Sequence, residues 1–200
     1  MVPELYLIAP AEAEAEAFAA LLKRVLASAD VAALLLPTGT RLPTAYEDFV
    51  RRIAPIAQAA GCAALIEGEP AAVRRLGADG LHITGPAAAV KAAMAALKPD
   101  FIVGVGPLAS RHDAMTIGEL GPDYILFGPL SGASSPIDRE MAGWWAETME
   151  IPGVFSDPEA TVETADAEGC EFLALSGSLW SAADPVASII AIAARLGYSA

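Results

Sequence analysis

Positive charge is scarce in this chain: twelve Lys and Arg stand against 25 Asp and Glu, a formal net charge of −13. That balance excludes nucleic acid as an expected partner, since a binder must neutralise phosphates with a Lys/Arg surface. It equally disfavours an anionic membrane surface. Long apolar runs are missing too. Although 54% of the residues are hydrophobic, alanine supplies much of that, and no run approaches the ~18–20 residues that span a bilayer. Met1–Pro10 has no basic residue ahead of its apolar ones, so it does not read as a signal peptide. A soluble, cytoplasmic protein is expected. Cysteine is limited to Cys62 and Cys170, each following a helix-ending glycine and opening an apolar run. That placement suits buried thiols at strand starts better than a disulfide framework or a metal knuckle.

What the chain does have is alternation. Short apolar runs, such as Leu5–Ile8, Val31–Leu36, Cys62–Ile66 and Gly80–Ile83, are each followed by an alanine-rich stretch with helical spacing. The pattern continues through Phe101–Val105, Tyr124–Phe127, Gly153–Phe155 and Phe172–Leu175, giving eight strands and eight expected helices, including one over Pro158–Glu168 and a last one over Pro185–Leu196. Continuous apolar strands fit a parallel sheet covered on both faces. No G-x-G-x-x-G follows the first strand, where Ala9-Pro10-Ala11-Glu12 stands instead, so an open dinucleotide-binding sheet is disfavoured. The expectation is an α/β fold, a (β/α)8 TIM barrel in one domain over residues 1–200. Gly77-Ala78-Asp79-Gly80, Gly121-Pro122-Asp123-Tyr124 and Gly169-Cys170-Glu171-Phe172 read as three copies of one helix-to-strand joint at the barrel's bottom, a stability feature.

Chemistry in such a barrel belongs at the C-terminal ends of the strands. His82 ends the fourth strand, and His112 lies beside Arg111 and Asp113 after the fifth. As titratable imidazoles they are the candidates for proton transfer, against structural readings as a core histidine and a solvated helix start. Glu67 and Glu69 follow the third strand and are the candidate ligands for Mg²⁺, a hard cation that prefers carboxylates. Gly128, Pro129 and Ser131 after strand six, Ser156 after strand seven, and Ser176 and Gly177 after strand eight offer hydroxyls and amides for a phosphate. Asp157 reads better as a helix cap, because a carboxylate would repel that phosphate. Trp180 is placed to roof the pocket, whereas Trp144 and Trp145 suit core or subunit packing. The alanine-rich, charge-poor surface fits a homodimer.

Gly77-Ala78-Asp79-Gly80-Leu81-His82, followed by Gly121-Pro122-Asp123-Tyr124-Ile125-Leu126-Phe127-Gly128-Pro129, resembles thiamine phosphate synthase and its close relative the thiazole tautomerase. Leu5-Tyr6-Leu7-Ile8 and Phe101–Val105 agree in the same order along essentially the whole chain. The resemblance implies a (β/α)8 fold, usually dimeric, that joins a pyrimidine diphosphate to a thiazole phosphate with Mg²⁺ and releases pyrophosphate. It also implies ligands this chain lacks. Leu35-Leu36-Pro37-Thr38-Gly39 stands where the family has a Gln-x-Arg-x-x-Lys signature, and Glu67-Gly68 where it has Asn-Asp. Thr84-Gly85-Pro86 replaces Gly-Gln and a metal-binding Asp, Ser131–Pro136 replaces a Thr-rich loop ending in Lys, and Ser156-Asp157 replaces a Gly-Gly phosphate loop. His82, Gly128-Pro129 and Ser176 are retained. Three functions follow as alternatives. They are a divergent synthase with relocated ligands, a metal-independent tautomerase-like isomerase using His82 or His112, and a non-catalytic binder of a small phosphorylated or heterocyclic ligand.

Overall fold

Strand residues here alternate between two apolar environments, and that alternation closes the sheet. In the computed structural model, which describes residues 2–198, β1 (Glu4–Ile8) turns Tyr6 and Ile8 into the barrel and Leu5 and Leu7 outward beneath the helices. The same division runs through β2 (Val31–Leu36), β3 (Ala63–Ile66), β4 (Gly80–Ile83), β5 (Ile102–Val105), β6 (Tyr124–Phe127), β7 (Gly153–Ser156) and β8 (Phe172–Leu175). All neighbours pair in parallel, and β8 pairs back onto β1, so the eight strands form a closed barrel in one domain. With no open edge, every strand is protected from pairing with another chain.

The helical layer comprises α1 (Ala15–Leu26), α2 (Pro43–Ala59), α3 (Pro70–Leu76), α4 (Ala87–Leu97), α5 (Arg111–Gly118), α6 (Pro136–Thr148), α7 (Gly177–Trp180) and α8 (Pro185–Leu196). Local chemistry sets their ends. Glu14 caps α1 by accepting from the Glu16 and Ala17 amides, and Ser135 with Asp138 makes a reciprocal capping box on α6. Prolines open α2, α3, α6 and α8, where a missing N–H costs little.

One expected helix does not form. Residues 158–168 are turns and irregular chain. The Thr164 hydroxyl accepts from the Thr161 amide, a local side-chain bond that competes with the helical ladder, and β-branched Thr161, Val162 and Thr164 add their own reluctance. The eighth helix is instead α7, a single turn after β8.

The repeated joints explain the barrel's bottom. Asp79 accepts from the Ala64 amide at 2.7 Å, Asp123 from the Val103 amide at 2.7 Å, and Glu171 from the Gly153 amide at 2.7 Å. Each carboxylate thus satisfies the first amides of the preceding strand, a charge-assisted bond of the stronger kind. Asp123 also holds Lys98 Nζ at 2.6 Å. Replacement Asp123→Ala is expected to cost about 1–3 kcal/mol in chemical denaturation, because a strand amide loses its acceptor, while ligand binding at the opposite end of the barrel stays unchanged. Loss of binding with unchanged stability would refute this purely structural role. Cys62 and Cys170 are free and buried, and burial pushes both thiols up to about 12, which leaves them unreactive.

Candidate functional site

The strands' C-terminal ends open into a cavity of about 460 Å³. Its walls come from the segments after β1, β2, β6, β7 and β8, including Pro10, Pro37, Leu130, Glu159, Gly177 and Trp180. That volume suits one small heterocycle. Of the residues expected to bind ligand, Ser131, Ser176 and Gly177 line this cavity. Gly128, Pro129 and Ser156 belong to its supporting shell. The buried Ser156 hydroxyl donates to the Pro129 carbonyl at 2.6 Å, and Gly128 adopts φ +92° where a Cβ would strike the Ser156 carbonyl oxygen. Only glycine fits that approach.

Several side-chain donors around the mouth are already committed. Ser176 Oγ donates to the Ile8 carbonyl at 2.9 Å, and Trp180 Nε1 donates to the same oxygen at 2.7 Å. Ser181 Oγ donates to the Gly177 carbonyl at 2.8 Å. Ser178 Oγ donates to the carbonyls of Pro158 and Ala160. A phosphate needs donors, and these are turned away from the cavity.

Cations are committed as well. Arg139 reaches Asp157 at 2.6 Å and Glu168 at 2.6 Å, with its guanidinium over the Phe155 ring. Asp157 is therefore an ion-pair partner, and with no helix following it caps nothing. Arg41 donates to the carbonyls of Ala11 and Ala13 and lies over Phe49 at 3.9 Å. Arg111 pairs with Glu140 and lies over Trp144. None of the three lines the cavity.

His82 lies within the barrel at 1% exposure, below the mouth. Its Nε2 is 3.1 Å from the Gly106 carbonyl, which can only accept, so Nε2 carries the proton and Nδ1 accepts from the Tyr124 hydroxyl at 2.9 Å. Tyr124 in turn accepts from Tyr6 at 2.9 Å. Burial pushes His82 down to about 4, against the upward pull of its bond to Gly106. A neutral ring with both nitrogens engaged holds the barrel interior together. His112 lies on the exposed side of the α5 start, so the two histidines do not converge.

The two expected metal carboxylates also stay apart in role. Glu67 Oε2 accepts from the Thr38 amide at 2.7 Å and the Thr38 hydroxyl at 2.8 Å, tying the β2 and β3 loops together. Glu69 is exposed, 3.6 Å from Arg75. Among the described residues, no three His, Cys, Asp or Glu gather to hold a metal. Glu67 and Glu69, the carboxylates expected to hold Mg²⁺, are engaged by different partners, Thr38 and Arg75. No described helix is long and apolar enough to cross a membrane.

The sequence profile of the thiamine monophosphate synthase family matches residues 5–176, from β1 to the end of β8. The chain belongs to that family. Thiamine-phosphate synthase from Rhodospirillum centenum is 36% identical over 198 residues, covering 92% of this chain and 93% of that protein. The Hyphomonas neptunium enzyme of the same name is 34% identical over 201 residues, covering 93% and 90%. Among solved structures, thiamine phosphate pyrophosphorylase from Pyrococcus furiosus superimposes with a TM-score of 0.79 at 17% identity, over 96% of this chain and 95% of that one. A 3-hexulose-6-phosphate synthase from Salmonella typhimurium does so at 0.77 and 14%, over 96% and 97%, which is a likeness of fold alone. This thiamine phosphate synthase-like barrel therefore shares its relatives' scaffold. Sequence reasoning missed Glu159 as a cavity residue, because Pro158-Glu159 read as the start of a helix that does not exist. Trp180 was legible from its place after the eighth strand.

Proposed function

We propose that this chain is a ligand-binding member of the thiamine monophosphate synthase family. Its mouth takes a small heterocycle of the class those enzymes handle, and its lining does not drive metal-dependent condensation. The observation that carries this reading is a heterocycle-sized cavity with neither a cation nor a pair of metal-binding carboxylates in its wall. A departing pyrophosphate needs its charge met, and each missing electrostatic contact of that kind costs ~10²–10³ in rate. His82 and His112 carry no proton transfer in this reading, since one is buried and satisfied and the other lies outside the mouth. Ser131, Ser176 and Gly177 shape the wall, with Gly128, Pro129 and Ser156 beneath them. A soluble cytoplasmic homodimer belongs to the same reading, supported by exposed Met115 on α5 and Ile137 on the adjoining α6.

The competing reading, turnover by the family's own reaction, draws on the extended identity to named synthases. Incubating the full chain with pyrimidine diphosphate, thiazole phosphate and Mg²⁺ separates the two. No pyrophosphate release above the protein-free background is expected, while calorimetry detects micromolar binding of thiamine or thiazole phosphate that Mg²⁺ does not strengthen. Mg²⁺-dependent release that Glu67→Gln abolishes would establish the synthase instead. Absence of binding by every one of these compounds would remove the ligand-binding reading.

A further inference from the structure

The Ser131 hydroxyl and the amides of Ser131, Gly132 and Gly177 belong to the cavity wall and have no partner among the described residues. All but the last lie on the loop between β6 and α6. Both ends of that loop are fixed. The Ser156 hydroxyl holds the Pro129 carbonyl at 2.6 Å, and the capping box of Ser135 and Asp138 starts α6. Between these anchors, across residues 130–134, a single hydrogen bond to the rest of the protein remains among the described residues. The Ser134 amide donates to Asp157 Oδ1 at 3.5 Å. A bond of that length is weak, so its hold on the loop depends on how firmly the carboxylate is kept in place.

Arg139 keeps it in place. Asp157 Oδ2 takes the Arg139 guanidinium at 2.6 Å, which leaves Oδ1 for Ser134. Glu168 fixes the guanidinium at a second point, at 2.6 Å, and the group rests over the Phe155 ring at 5.1 Å. A planar fork shared between two carboxylates is far more constrained than a single ammonium contact. Asp157 is buried, so its charge depends on this partner. Ser156 and Asp157, successive residues at the end of β7, thus both grip the neighbouring loop. We propose that Arg139 is a positioning residue of the mouth. Through Asp157 it fixes residues 130–134, so that the free donors of Ser131 and Gly132 stay at the cavity wall for an anionic group of the ligand. Arg139 itself does not line the cavity. This rests on the ligand-binding reading above and deepens it by naming what holds the binding loop.

Backbone NMR relaxation and calorimetric titration with thiazole phosphate test it, on the full chain and on its Arg139→Gln, Arg139→Lys and Asp157→Ala variants. Arg139 is half-exposed, so the barrel is expected to fold without it. Order parameters of the 131–134 amides should fall from the rigid value of about 0.85 in the wild type to below about 0.6 in Arg139→Gln. Those of the β1–β5 strands should not change, which a general loss of stability would not produce. Thiazole phosphate should bind Arg139→Gln about tenfold more weakly, the scale of losing one hydrogen bond to a charged group. Asp157→Ala, which leaves Arg139 on Glu168, should reproduce both effects. Arg139→Lys keeps a charged contact to Asp157 and should restore most of the order and the affinity. A loop that stays rigid in Arg139→Gln and Asp157→Ala overturns the inference, as does wild-type affinity in a variant whose loop has loosened. If the wild-type chain binds no thiazole phosphate, the ligand-binding reading loses that ligand, while the order parameters still decide whether Arg139 positions the loop.

Discussion

Acidification from about pH 7 to about pH 5 is expected to cost this protein roughly 2 kcal/mol of folding stability through His82 alone, rising to about 3 kcal/mol below pH 4. The sign follows from where the protons bind. In the folded barrel His82 is held near 4, whereas its ordinary value is 6.5, so between those limits the unfolded chain carries the extra proton. Stability then rises with pH across that window. It is fully present above 6.5 and is lost as pH falls toward 4. Physically, the imidazolium would sit in the barrel interior with Nδ1 facing a Tyr124 hydroxyl that now donates to it, and burial makes that charge costly. The exposed carboxylates Glu12, Glu14, Glu47 and Glu163 are held below 4.5 by their hydrogen-bond or ion-pair partners, so their own contributions fade at lower pH. Urea denaturation at pH 7, 6 and 5, repeated on His82→Gln, isolates the imidazole. The variant is expected to be less stable at pH 7 and to show a shallower slope than the wild type. Equal slopes in the two proteins, or an NMR titration of the His82 ring near 6.5, would contradict a buried neutral histidine.

The barrel itself was legible because it depends on features that lie along the chain. Eight apolar runs, the glycine-ended helices and the acidic joints are local, and Asp79, Asp123 and Glu171 sit where the repeated phrases put them. The failed helix over 158–168 is a case where local side-chain bonding at Thr161 and Thr164 beat an otherwise acceptable pattern. The site was only half legible. Position after a strand told that Ser131, Ser176, Gly177 and Trp180 would reach the mouth, since the fold alone dictates it. Their hydrogen-bond direction is a different matter. Ser176 and Trp180 converge on the Ile8 carbonyl from 168 and 172 residues away, so nothing near them in sequence says that their donors are spent. Likewise, Glu67 looks like a metal ligand until Thr38, 29 residues earlier, takes its carboxylate. His82 looks like a mouth residue until strand register sets it one layer down, between Tyr124 and Gly106.

Gly104→Ala is expected to be among the most damaging single substitutions in the protein, at about 4 kcal/mol. Gly104 pairs with His82 on one side and Tyr124 on the other, and the Tyr124 ring crosses its Cα to stack on the imidazole at 5.8 Å and 17°. A methyl group at position 104 would overlap that ring. The ring cannot move aside without breaking the run from Tyr6 through Tyr124 to His82, whose members are all buried. Overpacking alone costs ~1–3 kcal/mol, and stranding a buried polar group adds ~1–3 kcal/mol. The glycine is therefore a shape requirement of its neighbours, and a double-mutant cycle exposes that. Tyr124→Leu by itself should destabilise through the lost hydroxyl, but it clears the space above Gly104. Adding Gly104→Ala to Tyr124→Leu should then cost much less than Gly104→Ala does in the wild type, a coupling of about 1–3 kcal/mol for residues in direct contact. Strict additivity of the two changes would mean that the Tyr124 ring is not what keeps position 104 free of a side chain.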